Sequence, residues 1–536
     1  MYFLFYKLRW GYVMKGHFKF AVMTALLFAS AGIFGIAANA NADVIDAPGS
    51  AGSIKQVNAG NVLKDYDEEA LNTVNNDTPQ GNTSKKYAKY DLDPSGYNYA
   101  NSYSTISGSS QSNTFKTKWF LPDGFNVSNL QHGNFQSVTM DDSGNVYFVE
   151  SNGTNTNQGA IVKFNMAKLQ QLGVNNDPLA LWQAFDYFNP YTTDGTAHNQ
   201  EYEDAYNQMK GSFDQIKTLT NTLNQNKSWQ NNQNNYQNNA QKWYYYWKNK
   251  KSKNQKIVKS AKYSYASKQK AKKVVKQATA KMAQWMKSYQ MHKKKVANYN
   301  KKITSIQNQI NTYQSQVDAV KAQNPEMFKY VDIAQTAQLS PEVDIGHGQT
   351  LAFNPQNKHI YLAEDNTLTD LKTRDDNNTV LEMDPNTLNP IREYNFKMYH
   401  GDSANLQLHT LAFDKSGNAY WGRKYGKGYI LFYGRLDENG VSFQASQNMV
   451  GNRGGNTNQG MSYNPQNDRV YFVSDDILTS IPAEKVRDSN FTADDIHYQA
   501  FDSKREFESL TFDQDGYGYL LALWPPELMQ STAPLN

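Results

Sequence analysis

The chain has 536 residues, a formal net charge of +4 and no cysteine, so disulfides and thiolate metal sites are excluded and neither redox compartment is required. The charge is unevenly placed. Between Asp214 and Asp318 there are 22 lysines, no arginine and no acid, which leaves −18 on the rest of the chain.

In chain order, residues 1–42 read as a secretory signal. Lys15, His17 and Lys19 form a basic region, Phe20 to Ala37 an apolar run, and Ala40-Asn41-Ala42 the small residues of a cleavage site. Met14 would open a signal of ordinary length, so Met1 and Met14 both stand as candidate starts. An uncleaved anchor helix is the alternative, but the small-residue ending favours cleavage. With no second long apolar run, the mature protein is expected to be secreted, with no membrane span. Residues 43–113 are rich in Asn, Ser, Gly and Asp without periodicity, which predicts a disordered lead. Within it, Asp91 to Gly96 resembles the start of a calcium loop but lacks the downstream Glu, and reads as a turn.

Thr114 to Phe120 alternates and predicts a strand that opens a sheet region over 114–198. Five related segments then recur: Ser137–Tyr147, Thr350–Tyr361, Thr410–Tyr420, Gly460–Tyr471 and Ser509–Tyr519. Each runs apolar–x–aromatic (Met in the first), acid or amide, turn, then a second alternating run ending in an aromatic. That is a β-hairpin. Further strands follow at Ala160–Phe164, Ile477–Ile481 and Ile496–Phe501, so the unit is four antiparallel strands, the signature of a propeller blade. The fold expected is all-β: a five-bladed β-propeller, with Trp119–Leu121 as the outer strand that closes the last blade. A sixth, degenerate blade between Leu179 and Asp344 is the alternative.

The first blade carries a long insertion, 199–325, before the remaining blades over 326–536. From Asn199 to Gln323 it has no proline and one glycine, Gly211. Ile303, Ile306, Ile310, Tyr313, Val317 and Val320 are spaced as a heptad seam, and Phe213, Ile216 and Leu223 supply a matching stripe. Because the chain must return to the blade it left, the prediction is an antiparallel helical coiled coil. Its outer part combines an Asn/Gln-rich stretch (230–239, a poor helix former) with Trp243, Trp247 and Trp285 and dense lysine. Lys248, Lys250, Lys251, Lys272, Lys273 and the triplet Lys293, Lys294 and Lys295 have no acid to offset them. A solvated helix face normally mixes signs, since like charges at i,i+4 cost a few tenths of a kcal/mol. These residues therefore form a candidate polyanion-binding surface, with Trp243 and Trp247 available to sugar rings. An exported protein has little occasion to meet nucleic acid, so the partner expected is an anionic, teichoic-acid-like cell-wall polymer. Lysine without arginine suits diffuse neutralisation. Self-association through the coiled coil is a further expectation.

The repeats, reading apolar–x–aromatic–Asp–x–x–Gly–Asn–x–Tyr, resemble blades of the NHL and lactonase-like propeller group. Gly346 to Phe353 and the Lys/Asn/Gln/Tyr-rich composition are similar to secreted propeller proteins of lactic-acid bacteria. The resemblance implies the fold; the group includes binding modules, lyases and lactonases, so it does not imply an activity.

Aligning the repeats brings Gln136, Gln349, His409, Gln459 and Glu508 to one position, just before each leading strand, where they are expected to ring the mouth of the central channel. His347, Glu364, Asp475 and Arg423 lie on neighbouring loops and complete a candidate ligand-binding funnel. With one carboxylate in the ring, the set is poor for a two-carboxyl glycosidase or a metal site. No metal, no cofactor and no catalytic residue are expected; if the protein were a hydrolase or lyase, Glu508 and His409 would be the pair. An amide-lined funnel suits reversible binding of a glycan or peptide. Asp513 to Gly516 is expected to be a hairpin turn at the opposite end.

Overall fold

The repeat signature explains itself once its polar groups are traced. In the computed structural model, which describes residues 54–79, 101–122, 134–151, 157–190, 192–365 and 376–536, each signature folds as a hairpin locked by its own acid or amide. Asp141 accepts from the backbone N–H groups of Ser143 (2.8 Å) and Asn145 (2.9 Å), from Asn145 Nδ2 (2.7 Å) and from the Tyr147 hydroxyl (2.7 Å). Asp414 repeats this with Ser416, Asn418 and Tyr420, and Asp513 with Asp515, Tyr517 and Tyr519. Where Asn354 and Asn464 stand instead, their side chains cap Gln356 and Gln466, while Asn357 and Asn467 reach the hydroxyls of Tyr361 and Tyr471. The Asp-to-Tyr spacing is thus a turn that satisfies its own donors. The turn at Asp513–Gly516 is of this kind.

Five sheets result. Sheet I holds Asn134–Met140, Asn145–Ser151, Gln158–Asn165 and Ala337–Leu339, with Val343–Asp344 also on its third strand. Sheet II holds Thr350–Asn354, His359–Ala363, Asn378–Met383 and Pro390–Lys397. Sheet III begins at Ala412–Phe413 and continues through Ala419–Tyr425 and Gly428–Asp437 to Gly440–Ala445 and Asn448–Val450. Sheet IV holds Gly460–Asn464, Arg469–Ser474, Ile477–Pro482 and His497–Ala500. Sheet V holds Glu506–Phe512, Tyr517–Leu523 and Glu527–Pro534, and its next strand is Thr114–Phe120, antiparallel to the third. The arrangement is a propeller-like fold with a helical insertion between the third and fourth strands of sheet I. Among the described residues, 179–344 contributes helices and the last strands of sheet I, and no sixth sheet.

The sheets pack through the signature aromatics. Phe413 of sheet III lies against Tyr361 of sheet II, ring centroids 4.8 Å apart, and Phe512 of sheet V against Tyr471 of sheet IV, also 4.8 Å. Met140 of sheet I shares a buried cluster with Tyr519 of sheet V. Leading strands also touch in sequence: Phe353 N–H donates to Thr139 Oγ1 (3.2 Å), Thr350 Oγ1 to the His409 carbonyl (2.8 Å), and Ser509 Oγ to the Val138 carbonyl (3.4 Å).

The disordered lead expected over 43–113 needs correction. Among its described residues, Lys55–Asn61 adds parallel to the outer strand of sheet II, Asn72–Val74 adds parallel to Asn448–Val450, and Ser102–Ser104 pairs with Thr114–Phe120. Leu63 and Leu71 between them are buried. Edge-strand addition is held by backbone hydrogen bonds and asks little of the side chains, so composition does not reveal it. The predicted signal over 1–42 and the turn at 91–96 lie outside the described residues.

The chain divides into two compact units, one comprising the described part of Met1–Asn199 with Glu326–Asn536, the other Gln200–Pro325. The second unit is an antiparallel helical hairpin, built from most of the helix Thr193–Lys259 and the helix Tyr265–Lys321. Ser264 caps the returning helix by accepting from Ser267 N–H. At ~1.5 Å per residue the longer helix measures roughly 100 Å. One register runs its length: Ser212 Oγ donates to Gln316 Oε1 (2.9 Å), Trp229 meets Tyr299, Tyr236 stacks with His292, and Trp243 stacks with Trp285 at 6.0 Å. Ile216, Leu223 and Val317 are buried in the seam, as are Asn226, Ala240, Ala271 and Ala278. The Asn/Gln-rich stretch is helical throughout, because cross-helix partners such as Gln233 to His292 Nδ1 (2.7 Å) override its weak propensity. Among the described residues, no helix is long and apolar enough to cross a membrane.

Candidate functional site

Two regions carry the candidate chemistry. The first is the polar ring where the leading strands begin. Three of its five predicted members meet. Gln349 Nε2 donates to Gln136 Oε1 (3.0 Å) and to Glu508 Oε2 (2.7 Å), and all three side chains are buried, Glu508 at 1 % exposure. Burial, with Glu506 and Asp475 nearby, holds the Glu508 carboxyl well above the usual carboxylate range, opposed by the Gln349 amide. One amide group, Gln349 Nε2, bridges the other two side chains.

The other two members stand apart from that network. His409 is partly exposed, and its Nδ1 lies 2.9 Å from Asp365 Oδ1. Gln459 is half-buried, and its backbone N–H donates to the Val473 carbonyl (3.1 Å). The Gly346-His347-Gly348 turn passes beside Asp365: the His347 N–H donates to the Asp365 carbonyl, and a Cβ on Gly346 (φ +61) would fall 2.1 Å from that oxygen. Glycine is required there by close approach as well as by conformation. His347 is exposed; Glu364 is half-buried, its carboxyl raised by burial and by Asp344 and Glu393.

Two predicted funnel residues have structural employment. Asp475 Oδ1 accepts from the Phe507 N–H (3.2 Å). Arg423 Nη1 donates to Glu68 of the lead (2.9 Å), which also pairs with His400 (3.2 Å) and accepts from the Tyr66 hydroxyl (3.2 Å). The sequence reading missed Glu68 because it treated the lead as unstructured.

A cavity of about 380 Å³ lies at the opposite, turn end of the leading strands, and all five strands and their turns line it. Its wall includes the signature positions Met140, Phe353, Phe413, Tyr463 and Phe512. The signal was present in the sequence as the recurrent aromatic and was read there as a mark of fold only. No group of three or more His, Cys, Asp or Glu among the described residues is placed to hold a metal ion.

The second region is the helical hairpin. Lys248, Lys272, Lys273, Lys293, Lys294 and Lys295 are exposed; Lys250 and Lys251 are half-buried. Lys250 Nζ sits 4.8 Å from the Trp247 ring centroid and Lys248 Nζ 5.8 Å from that of Tyr245, cation–π contacts that order the amines without neutralising them. Trp243 keeps 40 % exposure on its outer side while stacking on Trp285, and Tyr245 and Tyr246 are about half exposed. The geometry offers a ladder of uncompensated amines with flat apolar faces between them.

No family model matches the chain, and no curated protein sequence does. Among solved structures it is similar to a 6-phosphogluconolactonase-like protein of Bacteroides uniformis, with 9 % identity, 35 % of this chain and 67 % of that chain covered, and a TM-score of 0.22. It is also similar to a protein from Lactobacillus plantarum (10 % identity, 30 % and 49 % covered, TM-score 0.19) and to a glucose dehydrogenase (12 %, 35 % and 63 %, 0.20). The matched regions span about half to two thirds of those chains.

Proposed function

We propose that this is a secreted, cell-wall-associated binding protein. Its head is a closed five-bladed propeller, and its helical hairpin binds an anionic, phosphate-bearing wall polymer. The observation that carries the reading is the run of 22 lysines without one acid between Asp214 and Asp318, displayed on two continuous helices whose partners are aromatic, aliphatic and amide groups. Five sheets with successive leading-strand contacts, and the pairing of Glu527–Pro534 with Thr114–Phe120, support the closed head. Repeating phosphates meet repeating amines with release of counterions, so retention is salt-reversible and weakly specific. Cell walls bearing teichoic acid should retain the protein at low salt and release most of it at about 0.5 M salt, well into the range where phosphate contacts weaken. Retention that ignores salt would remove the electrostatic reading.

A second reading, a hydrolase or lyase at the ring end, draws on one observation: Asp365 Oδ1 lies 2.9 Å from His409 Nδ1, close enough for an ion pair though out of hydrogen-bond alignment. Against it, Glu508 is buried within its own network. Turnover of a wall polysaccharide that is lost in His409→Asn would establish this reading in place of the binding-only one.

A further inference from the structure

The outer half of the helical hairpin repeats in sevens along one border of its seam. On the outgoing helix Trp229, Tyr236 and Trp243 stand three residues after the seam positions Asn226, Gln233 and Ala240, and keep 40 to 57 % exposure. Across the seam they meet Tyr299, His292 and Trp285, which continue by sevens the column of the buried Ala271 and Ala278 on the returning helix. Ring centroids within the three pairs lie 6.1, 5.2 and 6.0 Å apart, so each pair forms one rung. Seven residues advance a helix by ~10 Å, which is the spacing from one rung to the next.

Positions that border a coiled-coil seam are ordinarily filled by charged residues that pair across it. Here the border is aromatic on the outgoing helix and basic on the returning one. Lys281, Ser288, Lys295 and Lys302 stand three residues after Ala278, Trp285, His292 and Tyr299, the same offset as in the aromatic row. In an antiparallel pair, equal flanking positions of the two helices share one lip. Lys302 Nζ lies 5.8 Å from the Tyr299 ring centroid, and Lys281 Nζ donates to Gln284 Oε1 (3.0 Å). The segment holds no carboxylate to neutralise this row. The opposite border of the outgoing helix, at Lys227, Asn234 and Gln241, carries no ring, so the aromatic row is not a general cover for small seam residues. Three rungs in a line on polar helices fall short of the broad apolar face that a bilayer surface takes.

We propose that this lip binds a linear β-1,4-linked polysaccharide carrying an acidic group on alternate sugars. Two sugars of such a chain span about the distance between rungs, so every second sugar lies against an aromatic rung. The acidic groups then meet the row of Lys281, Lys295 and Lys302. The inference rests on the polyanion reading of the hairpin and deepens it. It adds a ring contact that salt does not weaken, and a length at which binding is complete: six sugars on three rungs.

The test is calorimetric titration of the full chain with neutral N-acetylchito-oligosaccharides of two, four and six sugars, and with the carboxymethylated hexamer. Each is measured at low salt and at about 0.5 M salt, where charge contacts weaken. The neutral series should tighten about fivefold with each added pair of sugars, the size of one aromatic contact, and equally at both salts. The carboxymethylated hexamer should exceed the neutral one at low salt only. Changing Lys281, Lys295 and Lys302 to Gln should abolish that margin and leave the neutral values unmoved. Tyr236→Ala, which removes the middle rung, should weaken the neutral hexamer at least about fivefold with helical circular dichroism unchanged, while Tyr236→Phe stays within about twofold. The assignment is overturned if the hexamer binds no better than the dimer, or if Tyr236→Ala leaves its affinity unchanged. It is equally overturned if phosphatidylglycerol vesicles bind and the hexamer does not. Salt-dependent binding of poly(glycerol phosphate) alongside failure of every oligosaccharide would remove this site and leave the polyanion reading standing.

Discussion

The head and the helical hairpin treat charge in opposite ways. In the head, acids are absorbed into the fold. Asp141, Asp414 and Asp513 lock turns, and Glu382 is fully buried beneath Arg392, Tyr394 (2.8 Å) and His359 (2.5 Å). Arg505 and Glu527 form a wholly buried pair at 2.8 Å, with Asn101 of the lead also donating to Glu527. In the hairpin, 22 amines have no carboxylate within the segment. A group matched inside the fold is unavailable to a partner, whereas one left unmatched on an ordered surface costs little stability and stays accessible. Composition alone, a modest +4, conceals this division.

The contrast can be broken at several points. The largest effect should follow from Arg505→Ala, which strands the Glu527 carboxylate and two carbonyls; denaturant unfolding should show a loss of about 3–5 kcal/mol in the head. Next, Val317→Ala in the hairpin seam should cost about 1–3 kcal/mol, read as loss of helical signal on heating.

A smaller effect, of informative sign, belongs to Glu508→Gln. Burial, with Glu506 and Asp475 nearby, raises the Glu508 pKa above its unfolded value, so the stabilising protonated form is fully present below the ordinary carboxylate range and is lost as pH rises through the raised pKa. Thermal melts should show the Gln variant gaining a few degrees over wild type at pH 8 and little at pH 4. The smallest effect should come from Lys293, Lys294 and Lys295→Gln, within about 0.5 kcal/mol of wild type, as for exposed charges without partners. A large loss there would mean that these lysines are structural.

Much of the head was legible in the sequence because its repeats carry their own chemistry: Asp or Asn, turn and Tyr are spaced to satisfy one another, and the alternation names the strands. The lead was not, since Lys55–Asn61 joins sheet II by backbone pairing along an edge. Alignment put Gln136, Gln349 and Glu508 at one position, but it could not show that one amide would bridge the other two. The turn-end cavity was overlooked because Phe353 and Tyr463 occupy the same column as the buried Phe413 and Phe512, and only packing tells a half-buried ring from a covered one. In the hairpin the heptad of isoleucines was plain, whereas the outer seam of Ala240, Trp243 and Ala278 has no aliphatic rhythm and becomes visible only through the helix opposite.

The most direct test of the central claim is the salt dependence of binding to poly(glycerol phosphate). Affinity should be titrated between about 50 and 200 mM salt for the wild type and for a variant with Lys248, Lys272, Lys273, Lys293, Lys294 and Lys295 changed to Gln. The account predicts that log affinity falls linearly with log salt for the wild type, and that the variant's slope is shallower by up to about 4, the release of roughly 0.7 counterion per lost contact. An unchanged slope and affinity in the six-lysine variant would contradict it.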